Sequence, residues 1–176
     1  MRVAPGPTTG PVAARIAERR GGELRPLDLA LLHDEEVADG WNHFIGALRT
    51  SRRLSDLDRE LIVLRIAVLN EASYEWAAHA PVARAAGATD EQLEAVRSRS
   101  QSWSSVFTPT TQALLAFVDR STSNVAVDNN TAQQLIDVIG DAGFVEAALV
   151  TAAYNMVSRF LVSVGLSDTD LDGVVA

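Results

Sequence analysis

The chain has 176 residues, 47% of them apolar and 22% charged, which allows one compact core and argues against disorder. Twenty-three acidic side chains against fifteen basic ones leave a net charge of −8. That sign lacks the basic field behind nonspecific binding to nucleic acid or an anionic membrane. Cysteine is absent, so disulfides, thiolate metal sites and thiol nucleophiles are excluded too.

Residues 1–10, with Pro5, Gly6, Pro7 and Gly10, show no periodicity and read as a flexible N-terminal arm ahead of a single helical domain over 11–176. Val12 and Ile16 stand one turn apart in a short helix over Val12–Arg20, which Gly21-Gly22 ends. Pro26 suits the first turn of a helix running to His33. Val37, Trp41, Phe44, Ile45 and Leu48 recur at helical spacing over Asp34–Arg49. Ser55 caps the next helix, with Asp58 in its first turn. There Leu57, Leu61, Leu64 and Val68 mark one face, while Ile62, Ile66 and Leu69 make the rod apolar nearly all round, the pattern of a buried helix.

The chain turns at Asn70–Ser73 and continues as a helix over Tyr74–Ala86. Thr89 and Gln92 have the spacing of a capping box and open a helix to Arg97. Ser98–Ser105 reads as a solvated loop before Thr108-Pro109, a cap followed by proline at the first helical position. A polar break at Asn124–Asn130 precedes a helix over Thr131–Ile139. Gly140–Gly143 then separates it from a long apolar helix, Phe144–Val164. No segment alternates with period two, so the expected fold is all-α. The apolar runs Leu61–Leu69 and Phe144–Met156 are broken by Arg65 and Glu146 and fall short of the roughly 18 residues of a membrane span. With no secretory signal in view, a soluble cytoplasmic protein is expected.

Three ionisable residues sit where chemistry is possible. Glu60 shares a stripe with Leu64 and Ala67, and Glu75 and His79 lie four apart on one helical face. Antiparallel packing across the Asn70–Ser73 turn would bring them together, with Tyr74 and Trp76 nearby. Desolvation and a like-charged neighbour both raise a carboxyl pKa, so one glutamate could hold a proton near neutral pH while His79 orients or protonates a substrate. The ordinary alternative stays open, since Glu75 in a first turn is favoured by the helix dipole and Glu–His at i,i+4 is a common surface pair. Glu60, Glu75, His79 and His43 also offer metal-ligand atoms. Neither His-Glu-x-x-His nor Glu-x-x-His occurs, however, and no metal or other cofactor is expected. Arg65 and Glu146 are expected to pair with each other, and Asn155 with Arg159. No Gly-x-Gly-x-x-Gly, P-loop or Gly-x-Ser-x-Gly is present, which removes nucleotide and serine-hydrolase readings.

The run Arg59-Glu60-Leu61-Ile62-Val63-Leu64-Arg65-Ile66-Ala67, then Tyr74-Glu75-Trp76-Ala77-Ala78-His79 and Ala86-Gly87-Ala88-Thr89, resembles the carboxymuconolactone decarboxylase and alkylhydroperoxidase D-like superfamily. The likeness covers about Leu29–Val96, and Tyr154-Asn155-Met156 with Arg159-Phe160 is similar to the tail of decarboxylase-like members. The resemblance implies an all-helical bundle assembled as a trimer or hexamer, with active sites near subunit interfaces. It also implies a peroxidase branch built on a Cys-x-x-Cys pair. Here Ala72 and Glu75 stand where those cysteines would be and Tyr74 where that branch often has a second histidine, so thiol chemistry is excluded.

The decarboxylase branch needs no cysteine, metal or organic cofactor: a lactone acid loses carbon dioxide, electrons delocalise toward a carbonyl, and carbon is reprotonated. By resemblance the catalytic residues are Glu60, Glu75 and His79, with His79 stabilising the dienolate or orienting the carboxylate and one glutamate delivering the proton. Tyr74 and Trp76 would shape the pocket, completed by His33, Trp41 or His43. The implied substrate is a small oxygenated carboxylic acid or lactone. If anionic, it would need an arginine such as Arg65 or Arg159 beside the glutamates. Two alternatives remain: a hydrolase, hydratase or isomerase on a neutral small molecule, and a non-catalytic ligand-binding or structural oligomer. The expected partners are a small molecule and further copies of the chain, not nucleic acid or membrane.

Overall fold

A computed structural model of the chain describes residues 1–98 and 103–171. These form α1 (Pro11–Arg19), α2 (Pro26–Leu31), α3 (Glu35–Thr50), α4 (Asp56–Leu69), α5 (Ser73–Ala85), α6 (Asp90–Arg97), α7 (Pro109–Asn124) and α8 (Asn129–Val164), then a 3-10 turn over Asp168–Leu171. No strand occurs among the described residues. Part of the predicted Ser98–Ser105 loop, residues 99–102, lies outside them.

The helix starts are set by side chains that take up otherwise unpaired backbone N–H groups. Asp34, Ser55, Thr108 and Asp128 each accept from the N–H three residues on, at 3.0–3.2 Å. Thr89 and Gln92 close the capping box in both directions. Gly140 breaks α8 with φ 71° and ψ 169°, in a region that belongs almost wholly to glycine. The two helices read from the sequence therefore meet at a kink at Gly140, where the chain changes direction without a loop.

α4 is the central rod, every residue from Arg59 to Ala67 being buried. Ile62, Val63 and Ile66 pack into one hydrophobic cluster with α3 and α8. Leu61 and Leu64 pack into a second with Ala80 and Ala83 of α5, Leu93, Val96 and Leu115. Its all-round apolarity follows from serving both clusters. The first ten residues follow their own chain: Arg2 N–H donates to Val164 O at 2.7 Å and Gly6 N–H to Leu29 O at 2.9 Å. A Cβ on Gly6 would stand 2.6 Å from Leu29 O, so only glycine allows this approach.

Two ionic partners differ from the expectation. Arg65 does not meet Glu146. It is held by Asp119 through two bonds of 2.6 and 2.9 Å, by Val96 O and by Ser98 O. Glu146 instead accepts from the Ser51 hydroxyl and the Arg53 N–H, and lies 3.7 Å from Arg59. Apolar periodicity states that both residues are buried, but not toward which neighbour each points. Asn155 and Arg159 do bond, at 2.7 Å.

Candidate active site

α4 and α5 fold back on each other across the turn at Asn70–Ala72, and this brings Glu60 to His79. Glu60 Oε2 lies 2.6 Å from His79 Nδ1, and Glu75 Oε2 lies 3.4 Å from His79 Nε2. One imidazole thus bridges two carboxyls. All three side chains are buried, with 8%, 4% and 5% exposure for Glu60, Glu75 and His79. With Nδ1–H donated to Glu60, the Nε2 lone pair faces Glu75 and, at 3.5 Å, Arg49 Nη2. Arg49 sits in the last turn of α3, where its Nε donates to the Tyr154 hydroxyl at 3.4 Å. The Tyr154 ring stands edge-on to His79, with centroids 5.4 Å apart.

Burial dominates the ionisation of this cluster. It pushes the Glu75 carboxyl above the usual carboxylate range; His79 and Arg49 pull the other way, and Glu60 adds to the rise. Glu75 Oε2 has no hydrogen-bond partner among the described residues. Burial also raises the Tyr154 phenol, against the pull of Arg49. For Arg49, burial works to lower the guanidinium, but Tyr154, Glu75 and Glu60 outweigh it and hold it above its ordinary value.

A cleft of about 410 Å³ opens onto the cluster, a size suited to a small molecule. Glu60 and His79 line it, together with Arg25, Arg49, Arg59 and Asp56, and α5 supplies an apolar wall of Ala78, Val82, Ala85 and Ala86. Glu75 is absent from that lining and lies on the far side of the imidazole. The order from solvent inward is therefore Glu60, His79, Glu75.

The five other predicted site residues lie elsewhere. On a helix advancing about 100° per residue, Tyr74 and Trp76 project to either side of Glu75. Tyr74 is buried near Leu27, Arg20 and Asp28, and burial pushes its phenol up to about 12. Trp76 carries the Arg97 guanidinium over its ring at 4.3 Å, beside a different hollow. His33 is exposed and bonds Ala4 O at 2.7 Å. Trp41 packs on Phe160, and His43 is exposed on α3. Arg65 and Arg159, named as partners for an anionic substrate, are not in the cleft lining; Arg25, Arg49 and Arg59 are. The sequence signal for Arg49 was slight: a lone basic residue in the last turn of an amphipathic helix.

Among solved structures, the fold is similar to an alkylhydroperoxidase AhpD core, an uncharacterised peroxidase-related protein from Ralstonia eutropha JMP134 (TM-score 0.81, 19% identity, 94% of this chain and 90% of that one). It is also similar to an uncharacterised peroxidase-related protein from Silicibacter sp. TM1040 (0.76, 18%, 91% and 87%). A third is a debrominase in complex with 2,3,4-tribromopyrrole (0.76, 15%, 96% and 92%). These likenesses establish an AhpD-like helical fold. The carboxymuconolactone decarboxylase family model matches residues 35–120, from α3 into α7. Over that stretch the chain is similar to the carboxymuconolactone decarboxylase family, and the likeness supports an enzyme-like function on a small molecule. No curated protein matches it.

Proposed function

We propose that the chain is a cofactor-independent acid/base enzyme of the decarboxylase-like type, acting on a small oxygenated carboxylic acid or lactone. The observation that carries this reading is the line Glu60–His79–Glu75, with one carboxyl on the cleft and the other buried behind the imidazole. Paired titratable groups in unlike environments are the usual basis for dividing acid and base roles.

In this scheme carbon dioxide leaves the bound acid and its electron pair passes to an adjacent carbonyl as an enolate. Glu60 then supplies the proton to carbon. It receives that proton from His79 Nδ1 as Glu75 returns one to Nε2, so the imidazole ends neutral with its tautomer exchanged. Glu75 is left ionised beside Arg49; a solvent proton entering at Glu60 then passes to His79 Nδ1 as Nε2–H returns its proton to Glu75, which restores the starting tautomer. Arginines in the cleft favour an anionic substrate over the neutral one of a hydratase or isomerase. Exposed Val145, Leu149 and Met156 on one face of α8 support assembly as a homo-oligomer.

The experiment is a panel of small oxo acids and lactone acids assayed for carbon dioxide release. Glu60→Gln and His79→Gln are expected to lower turnover by about 10²-fold or more with the fold intact. Undiminished turnover in both variants would end the proposal.

A further inference from the structure

The relay leaves part of the cleft unused. In a chain of net charge −8, the lining holds three arginines against Asp56 and Glu60. Asp56 is committed to Arg59 at 2.8 Å and Arg52 at 3.3 Å, and Glu60 to His79. Arg59 is engaged by Asp56 and by Ser51 O at 2.7 Å.

Arg49 and Arg25 are different. Neither has a carboxylate within ion-pair distance among the described residues, and Arg49 bonds only the Tyr154 hydroxyl and the His79 ring. Arg20 is neutralised by Asp28 at 2.5 Å, which leaves that carboxylate engaged. Burial, then Arg20, pulls the Arg25 guanidinium below its ordinary value, with Arg49 adding to the effect. Arg49 is held charged by Tyr154, Glu75 and Glu60, whereas Arg25, lowered by burial and by both neighbouring arginines, has a charge that a bound anion would relieve.

Building on the acid/base reading, we propose that Arg49 and Arg25 are the specificity-determining residues of the cleft: together they hold the carboxylate of the ligand, and Tyr154 is the positioning residue that aims Arg49. Two planar forks match a carboxylate better than point charges do. The apolar wall of α5 in the same cleft would take the carbon skeleton, with Glu60 in the lining to meet the reacting carbon.

The test needs no known substrate. The full chain is titrated with acetate, methyl acetate and inorganic phosphate at constant ionic strength while the arginine Nε–H resonances are followed by NMR. Acetate is expected to shift the Arg49 and Arg25 signals saturably, whereas methyl acetate leaves them unmoved. Arg49→Gln and Arg25→Gln should each weaken acetate binding about tenfold or more. Arg49→Lys keeps the charge without the fork and serves if the glutamine variant does not fold; it should weaken binding as well. Tyr154→Phe should move the Arg49 signal and weaken acetate about threefold, and Arg49→Ala/Tyr154→Phe should bind no worse than Arg49→Ala. Non-saturable response, binding that survives both glutamine variants, or saturation by phosphate but not acetate would overturn the inference. Its failure is separable from that of the proposed function: Glu60→Gln reads the relay and should leave acetate binding in place.

Discussion

Replacing Glu75 by glutamine tests the relay through stability and turnover together. Glu75 is 4% exposed, and its Oε2 lacks a hydrogen bond among the described residues. Burial raises its pKa in the folded chain, so the folded state keeps a proton that the unfolded state releases. The stability linked to that proton is fully present below the unfolded value and is lost as pH rises through the folded value. An ionised carboxylate buried without a hydrogen bond to Oε2 costs roughly 1–3 kcal/mol, which the isosteric amide avoids. Glu75→Gln should therefore be more stable than the parent by about 1 kcal/mol near pH 8, or about 2–4 °C in Tm for a chain of this size. The gap should close near pH 4, where glutamate is protonated in both states. His79, Arg49, Glu60 and Arg20 all act on Glu75, and the same comparison in a His79→Gln background removes the contribution of the imidazole. Urea unfolding at about pH 4, 6 and 8 reads the effect, and turnover should fall about 10²-fold. A variant destabilised equally at every pH, or a stability gain that grows toward acid, would exclude a raised pKa at Glu75.

Asp119→Ala removes the carboxylate that holds Arg65, a residue 2% exposed, and should cost about 3–5 kcal/mol in urea unfolding. Gly140→Ala meets no neighbour within 4 Å but forces a side chain onto φ 71°. Thermal melts should show a loss of about 1–3 kcal/mol from backbone strain alone.

The helices were readable because their signals are local. Ser55, Thr89 with Gln92, and Thr108-Pro109 mark starts, and Ile62, Ile66 and Leu69 announce a helix with no solvent face. The meeting of Glu60 with His79 was readable too, since a short turn between two long helices leaves them no option but antiparallel packing. Arg49 was not. Its place depends on how α3 crosses α5 and α8, a tertiary angle that residue spacing does not encode. The same limit explains Arg65 and Glu146: each is marked as buried by its apolar neighbours, while its partner is set by the rotation of α4 and α8 about their axes. Tyr74 and Trp76 were grouped with Glu75 by sequence adjacency, yet adjacent helical residues face about 100° apart.

Carbon-13 titration of the Glu75 carboxyl, assigned by its loss in Glu75→Gln, follows the proton at the buried end of the relay. The expected result is a carboxyl that stays protonated above the usual carboxylate range and whose titration shifts when His79 becomes glutamine. A Glu75 that ionises at ordinary glutamate values, and is indifferent to His79, would contradict it.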